Sequence, residues 1–301
     1  MKIGLVGLGR MGAGIRERLR RAGHEVVGYD TDPEVSDAGS LGEMVAELPA
    51  PRIVWVMVPS GGPTEQSIGA LSSLLAPDDI VVEGGNSHYR DSRRRADELA
   101  ARGIHLVDCG TSGGIWGLSE GFCLMVGGSA EAVSRVGPLF SALAPPGGYL
   151  HVGPVGSGHY VKMIHNGIEY AMLQAYAEGF DLLDAYDEEL DLGAIASLWN
   201  HGSVVRSWLL ELAERALERD PGLTGIRAHV DDSGEGRWTV LEAVEREVPA
   251  AAIAHSLFAR FDSRRENGFG LRLIAALRRE FGGHATQPAA GDDSGGRTAG
   301  E

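Results

Sequence analysis

The sequence predicts two domains: an α/β Rossmann-type doubly wound domain over residues 1–153 and an all-α domain over residues 154–284. Three observations support this expectation. Short apolar runs alternate with amphipathic helical stretches in the first half, which is the pattern of a doubly wound sheet. The second half shows helical stretches without this alternation. A segment rich in Pro and Gly, at residues 145–154, separates the two halves.

The first half contains apolar runs of four to six residues, rich in Val, Ile and Leu, which are typical of buried parallel strands. These predicted strands cover residues 2–6, 25–29, 53–58, 80–83 and 104–107, and a sixth strand-like run covers 122–126. Predicted helices lie between and after them, at 11–22, 41–48, 64–75, 89–102 and 130–143.

The second half begins with a long predicted helix over residues 157–185, for which Ser157 is the expected N-cap. Further helices are predicted at 192–199, 204–217, 239–246, 250–265 and 270–281. Residues 285–301 are mostly small and polar, so we expect a disordered tail.

The composition narrows the classes of function. The 301 residues include 42 acidic and 27 basic ones, a net charge of −15, so a nucleic-acid or membrane-surface role is not expected. No apolar run is long enough for a transmembrane helix, and the N-terminus does not resemble a signal peptide. Cys109 and Cys123 are the two cysteines, which favours a reduced cytoplasm. No His, Cys, Asp and Glu cluster has metal-ligand spacing, so no metal is expected.

A glycine-rich loop follows the first predicted strand. Gly7, Gly9 and Gly12 form G-x-G-x-x-G at the start of a helix, which predicts a dinucleotide site rather than a merely glycine-rich turn. The loop also contains Leu8, Arg10 and Met11, which we expect to contribute to this site.

Asp30 ends the second predicted strand, where a carboxylate accepts hydrogen bonds from a ribose 2′-OH and repels a 2′-phosphate. The alternative is a solvated turn residue or a helix cap. With Thr31 and Asp32 following it, Asp30 favours NAD over NADP as the cofactor.

Four polar residues share one face of the long helix. Lys162, His165, Asn166 and Glu169 lie at i, i+3, i+4 and i+7, with Tyr170 beside them. The protein has only two lysines, Lys2 and Lys162, among 27 basic residues. Because lysine can lose its proton when desolvated and arginine cannot, Lys162 is the candidate general base. The alternative is a solvated polar face.

Two further loops follow predicted strands of the first domain, where open α/β sheets bind ligands. Residues 83–87 read EGGNS and residues 108–117 read DCGTSGGIWG. Their Asn86, Ser112, Gly113 and Gly114 offer neutral hydrogen bonds to a polyol or a carboxylate, although each loop could also be a plain turn.

The motifs GLGRMG, EGGNS, TSGG, HYVKMIHNGIEY and GEGRWT occur here in the order found in the 6-phosphogluconate dehydrogenases, which the chain resembles over residues 1–284. It resembles their short bacterial form, which is often NAD-linked. The wider β-hydroxyacid dehydrogenase superfamily usually has Asn-Asn after the shared lysine, where this chain has His165-Asn166-Gly167.

The resemblance implies oxidative decarboxylation of 6-phosphogluconate to ribulose 5-phosphate and CO₂, with reduction of NAD and no metal. It implies that Lys162 is the general base for the C3 hydroxyl and then the acid toward the 3-keto oxygen. It also implies that Glu169 protonates C1 of the enediol. The implied substrate contacts are Asn86, Ser112, Gly113, Gly114, His165, Asn166, Tyr170, Arg237, Arg278 and His284. Val58, Pro59, Ser60 and Asn86 are implied to contact the cofactor.

The resemblance also implies a homodimer or homotetramer, because the RREFGGH segment, with Arg278 and His284, matches a segment that crosses to a partner subunit. One expected phosphate-binding arginine lacks a clear counterpart, and Arg260, Arg264 or Arg265 could substitute for it. Two other functions stay open: a non-decarboxylating β-hydroxyacid dehydrogenase or imine reductase, and a catalytically silent NAD-binding regulator.

Overall fold

The computed structural model describes residues 1–265, 268–282 and 285. Its first half is a seven-stranded sheet with the order β2-β1-β3-β4-β5-β6-β7. The strands are β1 (Lys2–Val6), β2 (Glu25–Tyr29), β3 (Ile53–Val56), β4 (Ile80–Glu83), β5 (His105–Ser112), β6 (Cys123–Gly127) and β7 (Tyr149–Gly153). β5 and β6 pair antiparallel, whereas the other neighbouring strands pair in parallel.

Helices cover both faces of the sheet, as predicted for a doubly wound fold. The helices of this half are α1 (Arg10–Arg21), α2 (Leu41–Ala46), α3 (Gly62–Leu74), α4 (Tyr89–Ala100), α5 (Gly117–Glu120) and α6 (Ala130–Leu143). Ile15 of α1 and Phe140 of α6 belong to the core on one face. Met44 of α2, Leu71 of α3 and Leu99 of α4 belong to the core on the other. β2 and β3 lie on opposite sides of β1, so the strand order reverses between β1 and β3. In open α/β sheets, the carboxyl ends of the strands at such a switch point form a ligand-binding crevice.

The second half is helical in the described residues. Its helices are α7 (Ser157–Asp184), α8 (Leu192–Asn200), α9 (Trp208–Arg219), α10 (Glu235–Glu245), α11 (Ala251–Asp262) and α12 (Phe269–Gly282). The long helix α7 packs against the sheet, and α10 and α11 pack against α7. In the part of the chain that is described, no helix is both long and apolar enough to cross a membrane.

Backbone contacts join α7 directly to the sheet. Asp108 of β5 is buried, and its carboxylate accepts hydrogen bonds from Gly156 N at 2.7 Å and His159 N at 2.8 Å. Gly158 fits against the sheet because a Cβ there would lie 2.4 Å from Met125 O. Likewise, a Cβ on Gly110 would lie 2.4 Å from the Cβ of Lys162. The start of α7 is therefore held over the carboxyl end of β5.

Several predicted elements are confirmed residue for residue, namely the strands at 2–6, 25–29 and 80–83 and the helix at 130–143. The prediction that Ser157 caps α7 is wrong. Gly156, with φ of 89°, occupies the N-cap, and Ser157 is already helical. The predicted helix at 204–217 begins later, at Trp208, because the Ser207 side chain caps it by accepting from Leu210 N. The strand β7 was not predicted.

Candidate active site

The glycine loop between β1 and α1 has the shape that a dinucleotide requires. Gly7 has a φ of 91°, and a Cβ on Gly12 would lie 1.9 Å from Gly7 O, so both positions need glycine. Gly9, the N-cap of α1, faces open space, with no atom within 4 Å of a Cβ built there. The loop therefore leaves its backbone and the N-terminus of α1 accessible to a pyrophosphate. These residues fit the predicted cofactor.

Asp30, which follows β2, joins the end of this strand to the glycine loop by a hydrogen bond. Its Oδ2 accepts a 2.6 Å hydrogen bond from Leu8 N, and its Oδ1 accepts one of 3.0 Å from Asp32 N. The hydrogen bond from Leu8 is the main cause that lowers the pKa of the Asp30 carboxyl. The side chain is thus an ionised carboxylate beside the glycine loop, where a 2′-phosphate would meet a like charge.

A cavity of about 1040 Å³ lies between the sheet and the helical domain. It brings together nine residues that the sequence singled out, from both halves of the chain: Met11, Asn86, Ser112, Gly113, Gly114, Lys162, His165, Asn166 and Glu169. Trp116 and Trp208 also line this cavity and were not predicted.

Lys162 lies on the wall of this cavity with only 5% of its surface exposed. Gly110 makes the close approach of β5 to its stem possible. Burial lowers the pKa of the Lys162 ammonium, while the charges of Glu235, Glu169 and Cys123 act in the opposite direction. The net direction is downward, which makes the neutral amine that a general base requires easier to reach.

His165 and Asn166 continue from Lys162 along α7. The Nδ1 atom of His165 lies 3.5 Å from Lys162 Nζ and 2.9 Å from Asn166 Oδ1. The Oε2 atom of Glu169 lies 3.9 Å from the same Nδ1. The predicted face of the helix therefore places a base, an imidazole, an amide and a carboxyl group in one wall.

Asn86 has a structural role as well as its place in the cavity. Its Nδ2 donates to Thr111 O at 3.0 Å, and its Oδ1 accepts from Thr111 N at 2.9 Å. The amide thereby joins the loop after β4 to β5. Thr111 and Ser112 belong to β5, which extends further than the predicted strand because these residues pair with β6.

Tyr170 lies behind the cavity wall rather than in it. Its ring is buried, and its hydroxyl lies 3.0 Å from Ser233 Oγ. The guanidinium carbon of Arg260 stands 3.4 Å from the centre of the ring, in a cation–π arrangement. Of the three arginines considered as substitutes, Arg260 therefore stacks directly on a predicted substrate contact.

Arg237 and Arg278, two of the predicted anion-binding residues, do not line the cavity within this chain. Arg237 forms an ion pair with the buried carboxylate of Asp232, at 2.8 Å, and the sequence did not indicate this partner. Arg278 is exposed on α12. His284 and the predicted disordered tail, apart from residue 285, lie outside the described residues.

Val58, Pro59 and Ser60 follow β3, at the switch point of the sheet, and Val58 is partly buried against a core cluster. A Cβ on Gly7 would lie 2.8 Å from Val58 Cγ1, so this loop and the glycine loop are adjacent. Pro59 and Ser60 are exposed, as is Arg10 of the glycine loop. The two adjacent loops lie together at the predicted cofactor site.

The fold and the site define a two-domain, dinucleotide-dependent dehydrogenase, with a glycine loop at the sheet and a buried lysine in the cavity beside it. Residues 2–153 match the family described as the NAD binding domain of 6-phosphogluconate dehydrogenase, and residues 158–287 match its C-terminal domain. The chain belongs to the 6-phosphogluconate dehydrogenase family.

Individual relatives agree with this assignment. The chain is 46% identical to a Haloferax volcanii protein named 6-phosphogluconate dehydrogenase, NAD(+)-dependent, decarboxylating, over 94% of this chain and 98% of the relative. A Bacillus subtilis protein with the same name is 34% identical, over 86% of this chain and 60% of the relative. A Plasmodium falciparum 6-phosphogluconate dehydrogenase structure matches with a TM-score of 0.77 and 27% identity, over 94% of this chain and 65% of that one.

Proposed function

We propose that this protein catalyses the NAD-dependent oxidative decarboxylation of 6-phosphogluconate to ribulose 5-phosphate and CO₂. The observation that carries the proposal is the buried Lys162, with its lowered pKa, in one cavity with Glu169 and the neutral donors of the sheet. The names of the full-length relatives support the same reaction.

The proposed chemistry begins with Lys162 as a neutral amine. It takes the proton of the substrate C3 hydroxyl while the C3 hydride departs, and NAD, when bound, supplies the hydride acceptor. The resulting ammonium then returns its proton to the 3-keto oxygen as the bond between C1 and C2 breaks and CO₂ leaves. These two steps yield an enediol and leave Lys162 as the neutral amine with which it began.

Glu169 completes the proposed reaction. Its carboxyl group protonates the carbon that lost CO₂, which becomes C1 of ribulose 5-phosphate. Ser112, Gly113, Gly114 and Asn166 would orient the hydroxyls and the carboxylate of the substrate, as lining residues of the cavity. As the carbon gains this proton, the neutral Lys162 amine accepts the proton of the enediol hydroxyl and the ketone of ribulose 5-phosphate re-forms. Lys162 and Glu169 then return to their starting protonation states by proton exchange with water.

The cofactor would be held by the crevice between the two loops. The proposed contacts are Gly7, Leu8, Gly9, Arg10, Met11, Gly12, Asp30, Val58, Pro59, Ser60 and Asn86. The accessible N-terminus of α1 suits the pyrophosphate, and the Asp30 carboxylate suits an adenosine ribose without a 2′-phosphate.

The preference for NAD depends on the charge of Asp30. In the Asp30→Asn variant, one side-chain oxygen can still accept from Leu8 N, but the charge is removed. We expect the ratio of kcat/KM for NAD to that for NADP to fall by roughly ten- to a hundredfold, which is about 1.4–2.8 kcal/mol, since the like-charge contact with the 2′-phosphate is removed. Steady-state kinetics with both cofactors measure the ratio, and Asp32→Asn is the control. A wild-type enzyme that used NADP as well as NAD would contradict the interpretation of Asp30.

The substrate phosphate would be bound by arginines near Tyr170. Arg260 stacks on the Tyr170 ring. Arg237, on α10, lies over the ring of Phe261, the residue next to Arg260, at 5.1 Å from its centre and is paired with Asp232. We propose that Arg278 and His284 reach this site from a second copy of the chain. The exposed apolar side chains of α12, among them Phe269 at 66% and Leu271 at 69%, support such a contact with a partner subunit.

Mixing two inactive variants tests the shared site. In a homodimer, a Lys162→Arg chain and an Arg278→Ala chain would together form one site with both native residues. We expect each variant alone to be nearly inactive, and a randomly mixed population to recover about a quarter of the wild-type kcat. Arg279→Ala, next in sequence and paired with Glu280, is the control for surface changes on α12. Failure of the mixture to recover activity would contradict a site shared between subunits.

A substrate screen tests the reaction itself. We expect the wild-type protein to reduce NAD with 6-phosphogluconate and to release CO₂, and to be far less active with gluconate because the phosphate contacts are lost. NADH formation without CO₂ from another hydroxy acid would favour a non-decarboxylating dehydrogenase, and turnover of an imine would favour an imine reductase. Absence of all turnover would favour a silent NAD-binding regulator. The oligomer and its cytoplasmic location stay predictions.

A further inference from the structure

Glu235 faces the proposed base from a different helix. It is the first residue of α10, which packs against α7 through a hydrogen bond from Thr239 Oγ1 to Met163 O, at 2.8 Å. Gly167 permits this close packing, since a Cβ there would lie 2.6 Å from Thr239 Cγ2. Glu235 is partly buried, and its charge acts on Lys162. Glu235 was not predicted from the sequence as a site residue.

The carboxylate of Glu235 fixes the amide of Asn166. The Nδ2 group of Asn166 donates to Glu235 Oε2, so the Oδ1 atom of Asn166 is turned toward His165. An amide oxygen only accepts, so His165 must present an N–H at Nδ1. A protonated Nδ1 has no lone pair, so His165 cannot accept a hydrogen bond there from a Lys162 ammonium, whose Nζ lies 3.5 Å away. The chain of contacts therefore matches a neutral Lys162.

The charges around Lys162 identify Glu235, on α10, as its counter-ion from outside α7. Electrostatic interactions with Glu235 on α10, Glu169 on α7 and Cys123 on β6 raise the pKa of Lys162, against the lowering effect of burial. Glu235 in turn interacts electrostatically with Lys162 and Glu169, and it accepts hydrogen bonds from Asn166 and Ser233. Burial raises the pKa of the Glu235 carboxyl, and the positive charge of Lys162 opposes this effect.

We propose that Glu235 is a positioning residue for the base: its carboxylate orients Asn166 and His165, and it balances the positive charge that Lys162 acquires on taking the substrate proton. The proposal deepens the proposed function, on which it rests for the role of Lys162. In this proposal, each of the two protonation states of Lys162 is stabilised by a different residue. The ordered His165 favours the neutral amine before the oxidation, and Glu235 stabilises the ammonium after it.

The two lysines of the chain make a direct test possible without turnover. In protein labelled with ¹³C at lysine Cε, Lys2 and Lys162 give two signals, and a pH titration of the apoprotein follows each. In Glu235→Gln, the amide oxygen can still accept from Asn166, but the negative charge is gone. We expect the Lys162 midpoint to move to lower pH and the Lys2 midpoint to stay unchanged.

Glu242→Gln is the matched control, because Glu242 is a buried carboxylate on the same helix whose partners are Tyr89, Arg90 and Arg246. It should leave the Lys162 midpoint unchanged. An unchanged midpoint in Glu235→Gln, or an equal shift in Glu242→Gln, would overturn the proposal. Because the titration requires no substrate, its result is independent of whether the proposed reaction is correct.

The kinetic counterpart is the acid limb of kcat/KM, which reports the base of the free enzyme. It should move to lower pH in Glu235→Gln, and the deuterium isotope effect with 3-deuterated substrate should rise because the ammonium is less stabilised. A uniform loss of activity at every pH would indicate a merely structural residue and would contradict the role in charge balance.

Discussion

Replacement of Lys162 by arginine is expected to lower kcat by about 10²–10⁴-fold while NAD affinity changes little, the loss typical of a missing general base. A guanidinium has about the reach of the lysine ammonium, but it does not deprotonate in proteins. The buried position of Lys162 lowers the pKa of its ammonium, so the native side chain can lose the proton that arginine retains. Single-turnover NADH formation measures the hydride step directly.

Lys2→Arg is the control, because Lys2 is the second of the two lysines and lies at the surface, paired with Glu47. It should leave NADH formation unchanged. Lys162→Met, which has no charge and a similar length, should be as inactive as Lys162→Arg and separates loss of the base from crowding by the larger guanidinium. Near-normal hydride transfer in Lys162→Arg would show that another group is the base.

Glu169→Gln is expected to slow a different step. Oxidation and CO₂ release should remain, because neither uses this carboxyl group in the proposed scheme. Protonation of the enediol carbon should slow by about 10²–10⁴-fold, the contribution typical of a general acid. Single-turnover NADH and CO₂ traces, together with solvent-deuterium exchange into C1 of ribulose 5-phosphate, separate the steps.

Glu178→Gln tests whether the effect is specific to the position of Glu169. Glu178 lies further along α7, is exposed, and has His255 as its ion-pair partner. This variant should exchange deuterium at the wild-type rate. Equal exchange rates in Glu169→Gln and wild type would remove Glu169 from the role of acid.

The sequence predicted those features that depend on local pattern. The strands β1, β2 and β4 are short buried runs, and their composition alone identifies them. The face of α7 that contains Lys162, His165 and Glu169 follows from the helical period, so their joint place in one cavity wall could be predicted.

Features that depend on distant residues could not be predicted in the same way. β7 is an edge strand with exposed side chains, including Leu150 at 66%, so it lacks the signal of a buried strand. β5 continues to Ser112 because β6 pairs with it. Glu235 reaches Lys162 only because α10 packs on α7, and the ion pair of Arg237 with Asp232 depends on how the chain enters α10.

The junction between β5 and α7 has a consequence for the energetics of turnover. Asp108 binds two backbone amides at the start of α7, and Gly110 and Gly158 leave no space for a methyl group between helix and sheet. The base and the neutral donors of the sheet therefore belong to one preorganised body, with no hinge at this point. The entropy of bringing them together is lost once, when the chain folds, and not again in each catalytic cycle.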